Sequence, residues 1–310
     1  MPKIDIRLMK PQDWSEVSEL IYDSLNAWYL KNRGFKLISG AKSCTMIFPR
    51  VYEALDPNCC VLAEDLEAGR IAGSCFFHPR STHISLGIMN VHPDYFGQKV
   101  GTLLIKYITN LADQQQLPLR LVSSSMNLES FSLYNRNGFV PKIFFQDMTV
   151  KVPENGFEEK KSPDILIRDA NLNDLSDMVA LEKELYSIER EKDFRFFIEN
   201  KEGIWHSSVL IDPQTNQMNG FIISVNDPGS NMLGPGLSRT ENQMIALILH
   251  ELNHHRGRQP VWLIPTNCLK IRDAMFQIGA RNCELHIAQV RGNYQPADGI
   301  VLPTFMPETS

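Results

Sequence analysis

Residues 91–104 decide the fold and read Val91-His92-Pro93-Asp94-Tyr95-Phe96-Gly97-Gln98-Lys99-Val100-Gly101-Thr102-Leu103-Leu104. The apolar run before them, Ile84 to Val91, predicts a β-strand, and the apolar periodicity from Leu103 to Leu111 predicts a helix. A polar loop with two glycines separates them. Such a loop at a helix N-terminus leaves N–H groups free, and the helix dipole favours negative charge there. The stretch therefore predicts a phosphate-binding turn, although glycine-containing turns of this kind are common in α/β proteins.

A second motif follows and reads Asn127-Leu128-Glu129-Ser130-Phe131-Ser132-Leu133-Tyr134-Asn135-Arg136-Asn137-Gly138-Phe139. Its form is N-x-x-S-x-x-L-Y-x-x-x-G-F. Asn127 is a favoured N-cap residue, and Gly138 suits the left-handed conformation that ends many helices. The motif predicts a helix of two to three turns that carries Tyr134.

Together the two motifs resemble the acyl-CoA-binding core of the GNAT superfamily of N-acetyltransferases in order, spacing and residue type. The resemblance covers residues 4–150. In that family the glycine turn cradles the pyrophosphate of acetyl-CoA, and the tyrosine lies beside the thioester sulfur. Two positions depart from the pattern, because Phe96 replaces a polar residue and Lys99 replaces the second glycine. A lysine hinders the closest backbone approach to phosphate, so the departures concern cofactor affinity more than the fold.

The resemblance also implies which residues act. The strand end Met89, Asn90 and Val91 would hold the pantetheine arm and offer an N–H to the thioester carbonyl. Tyr134, with an ordinary pKa of about 10, would be the catalytic proton donor to the CoA thiolate. No metal is implied. The other implied cofactor contacts are Gly97, Gln98, Lys99, Val100, Gly101, Thr102, Asn127 and Ser130.

Composition limits the class of protein. The chain has 310 residues, 43% of them hydrophobic and 22% charged, which suffices for two domains of ordinary size. A net charge of −5 without clustered Lys and Arg argues against nucleic-acid binding. No apolar run approaches membrane-spanning length, and the first residues do not resemble a signal peptide. Six cysteines without a C-x-x-C pair indicate reduced thiols, so we expect a cytoplasmic protein.

The chain repeats its own beginning. Residues 152–164 are charged, contain Pro and Gly, and predict a linker. After it, the residues Ile167-Arg168, Asp174, Met178 and Leu181 repeat the pattern of Ile6-Arg7, Asp13, Val17 and Leu20 at an offset of 161.

The far ends of the two copies also match, because Ala274-Met275 and Gly279-Ala280 repeat Leu133-Tyr134 and Gly138-Phe139. The second copy is shorter, and we expect the extra residues of the first copy to lie between residues 26 and 58.

We therefore predict an α/β (α+β) protein with two tandem acyl-CoA N-acyltransferase-like domains, residues 1–151 and 165–310. Each should contain a mixed, mostly antiparallel sheet of six or seven strands, splayed beside the glycine turn and flanked by helices.

The second domain is expected to be degenerate. Met275 occupies the position of Tyr134, and Cys268 occupies that of Asn127. Its presumed pyrophosphate turn, residues 233–240, contains Pro235, which lacks a backbone N–H. The alternative is that this Gly-Pro-Gly turn binds another ligand.

Neither the general base nor the amine acceptor is determined. His83 and Ser85 lie on one side of the predicted strand and are weak candidates for the base. Residues 28–35, with Trp28, Tyr29 and Phe35 among basic residues, lie where the superfamily builds its acceptor site. They indicate either a recognition loop or a helix-packing patch.

A competing motif stands at residues 250–254, His-Glu-Leu-Asn-His, which has the H-E-x-x-H form of zinc metallopeptidases. The longer form of that motif needs a third histidine where Pro260 stands, and Glu284 and His286 are the only nearby substitutes. Met244, Ile248 and Leu252 form the apolar stripe of the predicted helix, so both histidines would face solvent on an ordinary basic helix end.

The sequence thus predicts an N-acetyltransferase that moves an acetyl group directly from acetyl-CoA to a primary amine in the N-terminal domain. We expect a small-molecule or peptide amine as partner, no nucleic acid or membrane, and a monomer or homodimer. The alternative is a non-catalytic CoA-binding sensor or scaffold, and a remote one is a zinc metallopeptidase.

Overall fold

The computed structural model describes residues 2–159 and 165–308. The elements of the N-terminal half alternate strands with amphipathic helices, and the predicted strand Ile84–Val91 is reproduced. In chain order they are β1 Ile4–Leu8, α1 Trp14–Arg33, α2 Ile47–Leu55, β2 Cys60–Asp65, β3 Arg70–Pro79, β4 Ile84–Val91, α3 Val100–Gln115, β5 Leu119–Ser124, α4 Leu128–Arg136 and β6 Val140–Thr149.

The C-terminal half follows the same plan with a shorter first helix. Its elements are β7 Leu166–Asp169, α5 Leu175–Tyr186, α6 Glu191–Glu199, β8 Trp205–Ile211, β9 Met218–Asp227, β10 Ser230–Ser238, α7 Glu241–Leu252, β11 Val261–Pro265, α8 Leu269–Gln277, β12 Arg281–Arg291 and β13 Ile300–Leu302.

The strands form one mixed, mostly antiparallel sheet in the order β1-β2-β3-β4-β5-β12-β6-β11-β10-β9-β8-β7, with β13 beside β10. Among the described strands, only β4–β5 and β10–β11 pair in parallel. The predicted fold class is therefore confirmed. The two halves do not have separate sheets, however, because they share this one.

The halves are joined by an exchange of strands. β12 of the C-terminal half lies between β5 and β6, so that Ile287 is opposite Ser123 on one side and Phe144 on the other. β6 of the N-terminal half in turn pairs with β11. The boundaries at residues 151 and 165 stay a prediction, and residues 160–164 of the expected linker lie outside the described part.

The repeated opening of the chain has a structural basis. The Arg7 guanidinium donates to the Asp13 carboxylate at 2.7 Å, just before α1 begins. Arg168 and Asp174 repeat this contact at 2.6 Å, just before α5 begins. Each aspartate also accepts the backbone N–H three residues before it. α1 has 20 residues and α5 has 12, which accounts for part of the expected shortening.

The helices cover both faces of the sheet. On one face, α1, α2, α5 and α6 from both halves pack into a single hydrophobic core. On the other face, α3 covers a core within the N-terminal half, and α7 covers a separate core that also includes Met148 and Val150 from the end of the N-terminal half. No helix in the described ranges combines the length and apolarity needed to cross a bilayer.

Candidate active site

A large cavity opens where β4 and β5 separate. The two strands pair only at Ile84–Leu119 and Ser85–Arg120 and then diverge. β4 also carries an irregularity between Leu86 and Met89, which bends the strand away. The resulting cavity has a volume of about 1490 Å³ and is lined by residues of both halves. It lies at the predicted splay and is large enough for a cofactor and a second substrate together.

The glycine turn forms the rim of the cavity. α3 begins at Val100, before the predicted Leu103, and Lys99 adopts a left-handed conformation with φ of 67° at its N-cap. The backbone N–H groups of residues 99–102 have no acceptor within the part of the chain that the structure describes. Four such groups at a helix N-terminus suit an anion.

Gln98 does not take part in this set of free amides. Its backbone N–H donates to the Tyr95 carbonyl at 3.1 Å, and its side chain donates to the Asp94 carbonyl. Gln98 is also not among the residues that line the cavity, whereas Gly97, Lys99 and the first residues of α3 are. Gln98 therefore has no free N–H for a phosphate, contrary to the prediction.

The second motif folds as the sequence predicts. The Asn127 side-chain oxygen accepts the Ser130 N–H at 3.1 Å and caps α4. Gly138 follows the helix with φ of 87°. Asn127 and Ser130 both line the cavity, as do the predicted strand-end residues Met89, Asn90 and Val91.

Tyr134 lies on α4 and lines the cavity from a buried position, 6% exposed. Its ring packs edge-on against Phe139. Burial raises the pKa of its phenol above the ordinary value, and the nearby Cys75 and Glu308 raise it further. The hydroxyl therefore stays protonated at neutral pH and can donate a hydrogen bond to a group inside the cavity.

The aromatic segment predicted at residues 28–35 forms one wall. It is the last part of α1 and the turn after it, with Gly34 in a left-handed conformation. Trp28, Tyr29 and Phe35 line the cavity, and the Tyr29 ring contacts both of the others. The segment is thus a helix end, and its aromatic rings face the cavity.

The opposite wall carries ionisable groups that sequence reasoning did not place here. The Asp147 carboxylate on β6 pairs with His286 Nδ1 on β12 at 2.8 Å, and both side chains are mostly buried. Burial raises the pKa of Asp147, and His286 opposes that rise. Glu284, also on β12, accepts hydrogen bonds from Ser124 Oγ at 2.5 Å and from the Tyr29 hydroxyl at 2.7 Å. No local signal could have found this wall, because it depends on the exchange of β6 and β12.

The two candidates for a general base do not reach the cavity. His83 and Ser85 are fully buried at the other end of β4, where that strand still pairs with β5. Burial lowers the pKa of His83 well below its ordinary value, and the nearby Arg120 lowers it further. Neither residue is among those that line the cavity.

The corresponding opening in the C-terminal half is closed by its own chain. β10 and β11 pair only at Met232–Val261 and then diverge, as β4 and β5 do. β13 pairs with the last three residues of β10, 236–238, just as Met89, Asn90 and Val91 are the last three residues of β4. The Gly-Pro-Gly sequence lies inside β10 at a register shift, and the strand reaches α7 through Arg239 and Thr240 alone. The predicted turn at residues 233–240 is therefore wrong, and the described connection from β10 to α7 contains no long glycine turn.

The H-E-x-x-H motif lies elsewhere, at the end of α7. Glu251 is fully buried and accepts hydrogen bonds from Ser208, Ser224 and His206. His250 Nδ1 contacts Glu159 at 2.9 Å. Glu251 is thus committed to internal contacts and cannot activate water on a metal held by the two motif histidines, as a metallopeptidase requires.

Comparison with known proteins agrees with this geometry. Residues 56–141 match the sequence model of the family described as "Acetyltransferase (GNAT) domain". These residues include both motifs, so the resemblance seen in the sequence is confirmed. No curated protein sequence matches the chain.

Solved structures of similar fold extend over the whole chain. A putative acetyltransferase from Pyrococcus horikoshii is 13% identical, with 98% of this chain and 95% of that chain covered and a TM-score of 0.75. A GCN5-related N-acetyltransferase from Sphaerobacter thermophilus is 14% identical, with 95% and 97% covered and a TM-score of 0.67. A tandem GNAT protein from the clavulanic acid biosynthesis pathway is 12% identical, with 94% and 100% covered and a TM-score of 0.60. At these identities the likeness shows the fold alone, and that fold extends over both halves of this chain.

Proposed function

We propose that the protein is an N-acetyltransferase that transfers the acetyl group of acetyl-CoA directly to a primary amine in the cavity of the N-terminal half. The observation that carries the proposal is the cavity between β4 and β5. It joins a free strand edge, four unsatisfied N–H groups and Tyr134 on one side to the pair Asp147–His286 on the other.

The donor side fits an acyl-CoA. The pyrophosphate would lie against the N–H groups of residues 99–102, where the helix dipole and the Lys99 ammonium favour negative charge. The pantetheine arm would run along the unpaired edge of Met89, Asn90 and Val91, with Tyr134 near the sulfur. As the C–N bond forms and the C–S bond breaks, the Tyr134 hydroxyl donates its proton to the departing thiolate.

The acceptor side fits a cationic amine. An amine must lose a proton before it attacks, because its lone pair forms the new bond. His286 is placed to take that proton, since Asp147 fixes the Nδ1–H and leaves Nε2 as the acceptor. Glu284 adds a carboxylate that attracts the ammonium group, and the aromatic rings of residues 28–35 cover its carbon skeleton.

The test is the release of CoA thiol from acetyl-CoA across a broad panel of primary amines, at neutral pH and at about pH 10. Tyr134→Phe should lower kcat by on the order of 10²–10⁴-fold with little change in the KM for acetyl-CoA, because the hydroxyl acts only as the thiolate leaves. His286→Gln should lower the rate strongly at neutral pH but much less at about pH 10, where aliphatic amines lose their proton unaided.

His250→Gln is the matched control, because this histidine lies outside the cavity, and it should leave both parameters unchanged. Binding of acetyl-CoA without thiol release for any amine would instead favour a non-catalytic CoA-binding protein. A His286→Gln defect of equal size at both pH values would contradict the role of His286 as base.

A further inference from the structure

Three side chains of types that can bind a metal meet at the outer edge of the C-terminal half, on elements that do not line the cavity of the proposed acyl-transfer site. They are Asp169 at the end of β7, His206 on β8 and His254 just after α7. One ligand atom from each lies within 4.8 Å of the other two. His206 Nε2 and Asp169 Oδ1 are 3.3 Å apart. Two ligands on a tetrahedral zinc with bonds of about 2.0–2.1 Å are separated by about the same distance, 3.3–3.4 Å.

The imidazole rings of His206 and His254 are stacked, with centroids 3.5 Å apart and planes 22° apart. The two histidine side chains are therefore in direct contact at the cluster. Asp169 and His254 are exposed, so an ion and a water molecule can reach the cluster from solvent.

A buried carboxylate orients the cluster from behind. The Glu251 carboxylate lies 2.9 Å from His206 Nδ1. It also accepts hydrogen bonds from Ser208 Oγ at 2.7 Å and from Ser224 Oγ at 2.5 Å, which hold it in place. The contact with Glu251 holds the ring of His206 through Nδ1, so that Nε2 faces Asp169. Histidines that bind metals commonly donate their other nitrogen to a carboxylate in this way.

We propose that Asp169, His206 and His254 form a zinc-binding site, with Glu251 as the residue that positions His206. The two nitrogens and one carboxylate oxygen suit Zn²⁺ and leave a fourth position for water. The ion would link the edge strand β7 and its neighbour β8 to the end of α7. The H-E-x-x-H motif thus contributes one ligand and the positioning carboxylate, while its first histidine, His250, pairs with Glu159 instead.

The test is calorimetric titration of ZnCl₂ into the full-length protein after treatment with a chelator and desalting. The wild-type protein should bind one zinc ion. His254→Ala and Asp169→Asn should each weaken zinc binding about 10-fold or more, and both side chains are exposed, so neither change should unfold the protein. Thermal unfolding should report the same difference, since zinc should raise the Tm of the wild type but not that of His254→Ala.

Two matched controls locate the site. Asp177→Asn removes an exposed carboxylate on α5, away from the cluster, and should bind zinc like the wild type. His250→Gln should also bind zinc normally, whereas a pair formed by the two motif histidines would lose the ion with this change. Absence of zinc binding in the wild type, retention of it in His254→Ala, or its loss in His250→Gln would each overturn the proposal. None of these results depends on acyl transfer.

Discussion

Lys99 occupies a backbone position that favours glycine. A residue with a Cβ in the left-handed region costs about 1–2 kcal/mol, yet Lys99 adopts it with φ of 67° directly before α3. The turn therefore keeps the shape that a glycine would give it, and the lysine adds a positive charge next to the free N–H groups. The departure from the family pattern changes the charge of the turn and leaves its conformation intact.

A larger side chain at position 101 would crowd the contact between the glycine turn and α4. A Cβ built at this position would lie 3.3 Å from Leu133 Cδ2 and 3.7 Å from Val91 Cγ2. Gly101→Val should therefore crowd the turn and raise the KM for acetyl-CoA by on the order of tenfold or more, since overpacking typically costs about 1–3 kcal/mol. Gly101→Ala, which adds one methyl group, should give a smaller rise in steady-state assays. An unchanged KM in Gly101→Val would place the cofactor elsewhere.

His83 should make folding sensitive to pH, although it takes no part in the chemistry. Burial lowers its pKa in the folded state well below 6.5, so the unfolded chain binds a proton that the folded chain does not. Its contribution to the free energy of unfolding is therefore complete above about pH 6.5 and is lost as the pH falls below that value.

Urea unfolding at several pH values between 5 and 7 measures this effect. His83→Gln should reduce the slope of unfolding free energy against pH, by up to about 1.4 kcal/mol per pH unit, because one titrating group is removed. The comparison of slopes is independent of any constant loss of stability that the substitution causes. Equal slopes in the two proteins would show that His83 titrates alike in the folded and unfolded states.

The strands of the two halves follow the same plan, but the gap beside the diverging strand is open in the N-terminal half and closed in the C-terminal half. The end of β4 has a free edge toward β5, whereas the end of β10 pairs with β13 at residues 236–238. The connection to the following helix is long after β4 and only two residues after β10. Both differences remove features that the proposed acyl-CoA site in the N-terminal half uses.

The exchange of strands predicts that residues 1–151 do not fold stably alone. In that fragment β6 would lose both of its neighbours, β11 and β12, and β5 would lose β12. Phe145 and Met148, which are buried on β6, would lose their packing partners from the C-terminal half. Circular dichroism of the fragment should show no cooperative thermal transition, whereas co-expressed fragments 1–159 and 165–310 should associate and unfold cooperatively. A cooperative transition of residues 1–151 alone, at the Tm of the full chain, would contradict this expectation.

The sequence predicted features that depend on local residues. The cap at Asn127 and the left-handed glycine at Gly138 each depend on residues a few positions apart, and both are present. The cavity wall that carries Asp147, Glu284 and His286 was not predicted, because His286 and Asp147 are 139 positions apart and meet only through the exchange of β6 and β12. The left-handed conformation of Lys99 was missed for a different reason, since lysine gives no sign of it.

At the scale of the whole molecule, the two halves form a single unit. Helices α1, α2, α5 and α6 share one core, and the Arg80 guanidinium links Asp56 of the N-terminal half to Asp193 of the C-terminal half. These three side chains are buried, so removing the Arg80 charge would leave two buried carboxylates without this cation. The C-terminal half thus supports the site in two ways, because it stabilises the N-terminal half and supplies the wall with Glu284 and His286.

The central claim is that one half binds acetyl-CoA and the other does not. Isothermal titration calorimetry of acetyl-CoA into the full-length protein measures this directly as a stoichiometry. We predict one equivalent per chain, with affinity weakened in Gly101→Val, because β13 occupies the strand edge that a second cofactor would need. Two equal sites per chain would contradict the assignment of the C-terminal half as closed, and the absence of binding would contradict the proposed function itself.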